Sequence, residues 1–176
     1  MSNFKKNNNN FRLFFLQQAL KAKIANMKTL QVGDKVPSFT AVTQDGSPFN
    51  LSDYQDTKLV VFFYPKASTP GCTAEACDLR DHYEVLNEKG YSIVGVSADD
   101  TNKQTKFRDK YSFPFPLLAD TDKSVINAFG VWGPKKFMGR EYDGIHRMTF
   151  VVEKGSVSHV IDKVKTKEHA AQILAL

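Results

Sequence analysis

The residues Lys58-Leu59-Val60-Val61-Phe62-Phe63-Tyr64 form a continuous apolar run, led by one lysine, that stops at Pro65. An unbroken run rich in β-branched and aromatic side chains has no polar face to offer water. It predicts a central strand buried on both faces, which requires packed layers above and below. The segments downstream supply them. Thr73 to Lys89 reads as a helix closed by Gly90, and Ser92-Ile93-Val94-Gly95-Val96-Ser97 as a second buried strand. Asn102 to Tyr111 is a polar-faced helix with Thr101 as its expected cap. Phe115 to Ala119 reads as a short edge strand, and Ser124 to Phe129 as a short helix ending at Gly130. Met148 to Val152 and Val157 to Ile161, separated by Glu153-Lys154-Gly155-Ser156, read as a hairpin. Lys167 to Leu176 reads as a last helix capped by Thr166. This order predicts an α/β fold with a central mixed β-sheet flanked by helices.

Charge divides the chain in two. Six of its 24 Lys and Arg residues (Lys5, Lys6, Arg12, Lys21, Lys23 and Lys28) and none of its 19 acids fall in residues 1–28. That leaves 18 bases against 19 acids, so the remainder carries a net charge of −1 and the basic pI is no argument for nucleic acid. Residues 1–28 are read as a basic N-terminal extension and 29–176 as the domain. Within the extension Leu13, Leu16, Leu20 and Ile24 have helical spacing. Three readings stay open: an organelle-targeting or membrane-surface helix, a helix docked on the domain, and a flexible leader or a start set upstream of Met27. No apolar run reaches the ~20 residues of a membrane span.

Both of the chain's cysteines lie in Pro65-Lys66-Ala67-Ser68-Thr69-Pro70-Gly71-Cys72-Thr73-Ala74-Glu75-Ala76-Cys77. Two cysteines this close make no useful staple and favour a reducing compartment. Cys72 falls at the first turn of the expected helix, where unpaired N–H groups and the helix dipole favour an anion. A thiolate is that anion and is the nucleophilic form of cysteine. Thr69, three residues earlier, carries a hydroxyl that can serve the sulfur and an incoming oxygen. Attack on an O–O or S–S bond needs this pairing of thiolate and donor. Cys72 shares a stripe with Ala76, Leu79, Tyr83 and Leu86, so it should face inward. Cys77 is displaced by roughly 140° and ~7.5 Å, whereas a disulfide wants converging Cβ vectors and Cα atoms within ~7 Å. The two cannot bond in an intact helix; if they bond, its first turn or more must unwind. Taken alone, Cys77 also reads as a small buried hydrophobe. Two cysteines with His82 nearby are a poor metal site, and the C-x-x-C redox motif is absent.

Pro65-x-x-x-Thr69-x-x-Cys72 resembles the active-site motif of peroxiredoxins. With Cys77 five residues on, the segment resembles the bacterioferritin comigratory protein, or peroxiredoxin Q, branch. Gly130-Val131-Trp132-Gly133-Pro134-Lys135-Lys136-Phe137-Met138-Gly139-Arg140-Glu141-Tyr142-Asp143-Gly144-Ile145-His146-Arg147-Met148-Thr149-Phe150-Val151-Val152 is similar to that branch almost throughout. The resemblance runs from about Leu30 to the C-terminus. It implies a thioredoxin-like fold and a thiol-dependent peroxidase acting on hydrogen peroxide and organic hydroperoxides. It implies that Cys72 is the peroxidatic cysteine, that Thr69 and Arg147 orient thiolate and peroxide, and that Pro65 shields the sulfur. Cys77 is then the resolving cysteine of an intramolecular disulfide. The implied reductant is thioredoxin, fed by NADPH, with no bound cofactor or metal, in a cytoplasmic monomer. Without the resemblance, Arg147 before a buried strand reads as a surface or ion-pair residue. His82, His146, His159 and His169 read as surface or satisfied core, Trp132 as packing, and Asp99-Asp100 as a solvated loop. The rival function is a non-enzymatic redox sensor or binding module of the same fold, built on the same two cysteines.

Overall fold

The structure is a computed structural model that describes residues 28–137 and 139–176. The helical stripe expected between residues 11 and 25 lies outside the described residues. The apolar run becomes strand β3 (Lys58–Phe63), which sits at the centre of a five-stranded sheet. Its neighbours are β4 (Tyr91–Ser97), parallel to it, and β8 (Met148–Glu153), antiparallel. β5 (Leu117–Ala119) and β9 (Ser156–Ile161) complete the order β5-β4-β3-β8-β9. The sheet is mixed, as expected. Side chains of β3 divide between two cores by the two-residue period of a strand. Leu59, Val61 and Phe63 pack with Phe129 and Phe150 on one face. Val60, Phe62 and the following Tyr64 pack with Cys72, Ala76, Leu79 and Phe107 on the other. Gly95 on β4 is part of this fit: a Cβ there would stand 2.7 Å from both Phe62 and Leu117.

The helix expected over 73–89 begins earlier and is broken. Helix α1 spans Pro70–Asp81 and α2 spans Tyr83–Glu88. Pro70 takes the first helical position, where its fixed φ fits and its missing N–H costs nothing, behind an extended Thr69. At His82 the ring Nδ1 lies 2.9 Å from the Asp78 carbonyl, where it competes with the backbone ladder. Leu86 keeps its place in the stripe, because Cys72, Ala76, Leu79 and Leu86 are all buried.

Helix α3 (Thr101–Tyr111) is capped by Asp100, whose carboxylate accepts the Lys103 N–H at 2.9 Å, and Thr101 is its first helical residue rather than its cap. Strand β5 is shorter than expected and its edge is not bare. Gln44 Oε1 accepts the Leu117 N–H at 2.9 Å, and Thr43 bridges to Leu118. Helix α4 spans Ser124–Ala128. The β8–β9 turn is Lys154-Gly155, both with positive φ, as the type I′ form of a two-residue hairpin loop requires. The last helix, α5, is His169–Leu174, preceded by Glu168 rather than capped by Thr166. Two hairpins have no counterpart in the sequence reading. One is β1 (Thr40–Val42) with β2 (Pro48–Asn50), and the other β6 (Trp132–Phe137) with β7 (Arg140–Ile145). Strands of three residues, and a ribbon whose second strand is exposed along most of its length, carry no usable two-residue hydrophobic period.

Candidate active site

The site forms where β3 ends and α1 begins, closed by the residue before β8. Phe63 pairs with Met148, so Arg147 falls just beyond the end of β3, opposite the loop that leads into α1. Its guanidinium then serves two partners. Nη2 donates to Cys72 Sγ at 3.3 Å, and Nη1 pairs with Glu75 Oε2. Cys72 and Glu75 are one helical turn apart on the same face of α1, which is why one planar guanidinium can reach both. Gly71 leaves it room, since a Cβ there would meet Arg147 Nη2 at 3.3 Å.

Cys72 is only 1% exposed. The sulfur is therefore nearly closed to solvent, with a cationic donor against it. Burial works against the charge of Arg147, but Glu75 and the Cys72 sulfur outweigh it and hold the guanidinium's pKa up. The Glu75 carboxyl is pushed up to about 7 by burial, against the pull of Arg147. Lys135 on β6 adds a second positive group; burial and Arg147 lower its pKa, the sulfur raises it, and its ammonium donates to the Ile145 carbonyl at 2.9 Å.

The loop between β3 and α1 is held from outside. Asp99, read from sequence as part of a solvated loop, is 8% exposed. It accepts the Ala67 N–H at 2.7 Å and the Ser97 hydroxyl at 2.9 Å, and so fixes the turn in which Ser68 takes a positive φ. Pro65 is half-buried at the strand end. Thr69 lies at the helix start, but its hydroxyl donates to the Lys66 carbonyl at 2.9 Å rather than to the sulfur. Its remaining capacity at the site is as an acceptor, until that bond is exchanged. Cys77 is half-buried further along α1, and burial pushes its thiol pKa up. Both cysteines are free, as an intact helix demands.

The structure brings Arg147 onto Cys72, places Thr69 at the start of the helix that carries both cysteines, and leaves Pro65 just beyond the end of β3. Sequence reasoning missed Glu75 and His169. The only signal for Glu75 was an acid on the buried face beside Cys72. His169 is fully buried, and burial together with Arg147 pushes its pKa down to about 4.

The sequence profile of the AhpC/TSA family matches residues 32–160. The chain belongs to the AhpC/TSA family. Among relatives of this peroxiredoxin, peroxiredoxin Bcp of Escherichia coli strain K12 is 45% identical over 149 residues, covering 84% of this chain and 96% of the relative. Peroxiredoxin Bcp of Bacillus subtilis is 44% identical over 147 residues, covering 83% and 94%. The bacterioferritin comigratory protein of Xanthomonas campestris superposes with a TM-score of 0.75 at 33% identity, over 83% of this chain and 94% of that one. The peroxiredoxin has the thioredoxin-like fold of these neighbours and is a thiol-dependent peroxidase, an oxidoreductase. Among the described residues no helix is long and apolar enough to cross a membrane.

Proposed function

We propose that this peroxiredoxin reduces hydrogen peroxide and small organic hydroperoxides through Cys72, and resolves the product through Cys77. The observation that carries the reading is the Arg147 guanidinium bridging the Cys72 sulfur and the Glu75 carboxylate. The thiolate attacks one peroxide oxygen, and the O–O bond breaks. The leaving oxygen takes a proton and departs as water or an alcohol, which leaves a Cys72 sulfenic acid. Arg147, already on the sulfur, faces the charge that develops on the leaving oxygen. Thr69 would exchange its Lys66 contact for the peroxide, and Pro65 limits water at the sulfur. The Cys77 thiol then condenses with the sulfenic acid, forming an S–S bond and releasing water. Two electrons and two protons from a dithiol protein of the thioredoxin kind, charged by NADPH, restore both thiols. No step in this cycle calls for a bound metal or prosthetic group. Residues 29–176 are the working unit in this reading, in a reducing compartment such as the cytoplasm. The relative from Xanthomonas campestris is described for alkyl peroxide reduction, which favours organic hydroperoxides among the substrates.

A coupled assay tests this directly, following NADPH loss with thioredoxin, its reductase and peroxide. Cys72→Ser should abolish turnover. Cys77→Ser should consume about one equivalent and stop as the sulfenic acid. Turnover that survives Cys72→Ser refutes the assignment. A wild-type protein that consumes one equivalent only is a sensor and not a catalyst.

A further inference from the structure

Glu75 Oε1 and His169 Nδ1 lie 3.3 Å apart, a close contact just short of hydrogen-bond geometry, and neither buried atom has a hydrogen-bond partner elsewhere. Both side chains are fully buried. Glu75 belongs to α1, and its other oxygen is held by Arg147. His169 opens α5 at the far end of the chain, and its Nε2 lies 3.0 Å from the Thr149 hydroxyl on β8. Next to it, Asp78 on α1 accepts the Ala170 N–H at 2.7 Å and so seats α5 against α1. The Phe62 ring meets the imidazole edge-on at 6.3 Å and closes the apolar side.

We propose that His169 is a positioning residue of the peroxidase site: its Nδ1–H holds the Glu75 carboxylate ionised and oriented, and through it keeps Arg147 on the Cys72 sulfur. The inference rests on Cys72 being the peroxidatic thiol. A neutral imidazole has one N–H. With the Thr149 hydroxyl donating to Nε2, that proton sits on Nδ1, facing Glu75. A buried carboxylate with one oxygen unserved is costly, and it relieves that cost by taking a proton. A protonated Glu75 loses the charge that holds Arg147. The charged groups around the ring are Glu75 and Asp78 from α1 and Arg147 from the segment before β8, with Lys135 of β6 beyond Arg147. Arg147 helps keep the ring neutral, so His169 acts as a hydrogen-bond donor and not as a cation. The contacts then run from Thr149 to His169, Glu75, Arg147 and Cys72, and no proton leaves His169 during the reaction.

Three substitutions separate this role from packing. The amide N–H of His169→Asn falls near the Nδ1 position. His169→Phe fills the space with no donor. His169→Gln places its amide near Nε2 instead, and serves in place of the Phe variant should that one fail to fold. Two rates are measured from about pH 5 to about pH 9, a range that spans the ordinary histidine and thiol ionisations. One is sulfenic acid formation with hydrogen peroxide. The other, in the Cys77→Ser background, is alkylation of Cys72 by iodoacetamide. His169→Phe should slow the peroxide reaction about tenfold near neutral pH, less than the ~10²-fold loss of a direct donor. The deficit should shrink as pH rises and Glu75 ionises unaided. His169→Asn should restore most of the rate. Glu75→Gln should reproduce the deficit without the recovery at high pH, and the double variant should be no slower. A donor-free variant that matches wild type at every pH overturns the proposal, as does an Asn variant as slow as the Phe one. Peroxide consumption that survives Cys72→Ser faults the cysteine assignment instead, and the alkylation arm still reads the effect of His169 at Cys72.

Discussion

Replacing Ala74 by Gly separates the stability of helix α1 from the rest of the site. Ala74 lies within α1, half-buried, and is not among its buried residues Cys72, Glu75, Ala76 and Leu79. Removing its methyl group costs the helix about 1 kcal/mol, chiefly in backbone entropy. In the proposed cycle Cys72 and Cys77 join only after the backbone between them opens, and residue 74 lies between them. If it is fully unwound when the sulfurs meet, the whole cost appears as a lower barrier, and disulfide formation speeds up about fivefold. The attack of Cys72 on peroxide uses the folded helix and gains nothing. Trp132 is the chain's single tryptophan and serves as the reporter in stopped-flow fluorescence. A phase whose rate scales with peroxide reports oxidation of Cys72, and a peroxide-independent phase reports resolution. The variant should accelerate only the second phase, while its Tm falls by about 3 °C. A lowered Tm with an unchanged second phase would show that resolution does not require the helix to open.

Arg147→Lys tests the double contact. One ammonium cannot serve both Cys72 and Glu75, so the peroxide-dependent phase should slow by about 10²-fold while resolution keeps its rate, and a wild-type first phase would refute the bridging role. Glu75→Gln tests the buried pair through the pH dependence of Tm. The folded-state pKa of Glu75 is raised from 4.5 to about 7, so its contribution to stability is fully present below 4.5 and lost as pH rises through about 7. That of His169 is lowered from 6.5 to about 4, so its contribution is present above 6.5 and lost as pH falls through about 4. The two oppose each other between 4.5 and 6.5, where the wild-type contribution of this pair should be nearly flat. Glu75→Gln leaves the His169 loss uncompensated, so its Tm should fall on acidification across that window relative to wild type; parallel profiles would refute the pairing.

The parts legible in the sequence were those whose burial pattern is local. The run of β3 shows its two-sided burial in its own residues, and the stripe from Cys72 to Leu86 shows which face of the helix turns inward even though the helix breaks at His82. The placement of Arg147 was not local. It depends on Phe63 pairing with Met148, a register that neither strand's residues specify alone. Glu75 and His169 were hidden for a related reason. A glutamate read in isolation belongs at the surface and a histidine at the surface or in a satisfied core, and neither reading shows that residues from α1, β8 and α5 bring these two together. The β6–β7 ribbon escaped because β7 is exposed along most of its length, so its sequence lacks the alternation that marks a half-buried strand. Asp99 escaped because its partner is a backbone N–H in another loop, which no side-chain pattern announces.

The buried residues of α1 are arranged in a way that suits a helix required to be whole for one step and open for the next. Between Cys72 and Cys77 the buried residues are Glu75 and Ala76. Ala76 has one methyl group to expose, and a carboxylate released from burial regains its hydration. The large apolar residue of the helix, Leu79, lies beyond Cys77, where removing it from the core would cost about 1.5–3 kcal/mol. The anchor to α5, from Asp78 to the Ala170 N–H, also lies beyond Cys77. Opening that stops at Asp78 would free both cysteines, release Arg147 from Glu75, and leave the second half of the helix docked. The proposed disulfide therefore requires no loss of the main core contact of α1, and its chief cost is the Glu75 pair that holds the reduced site together.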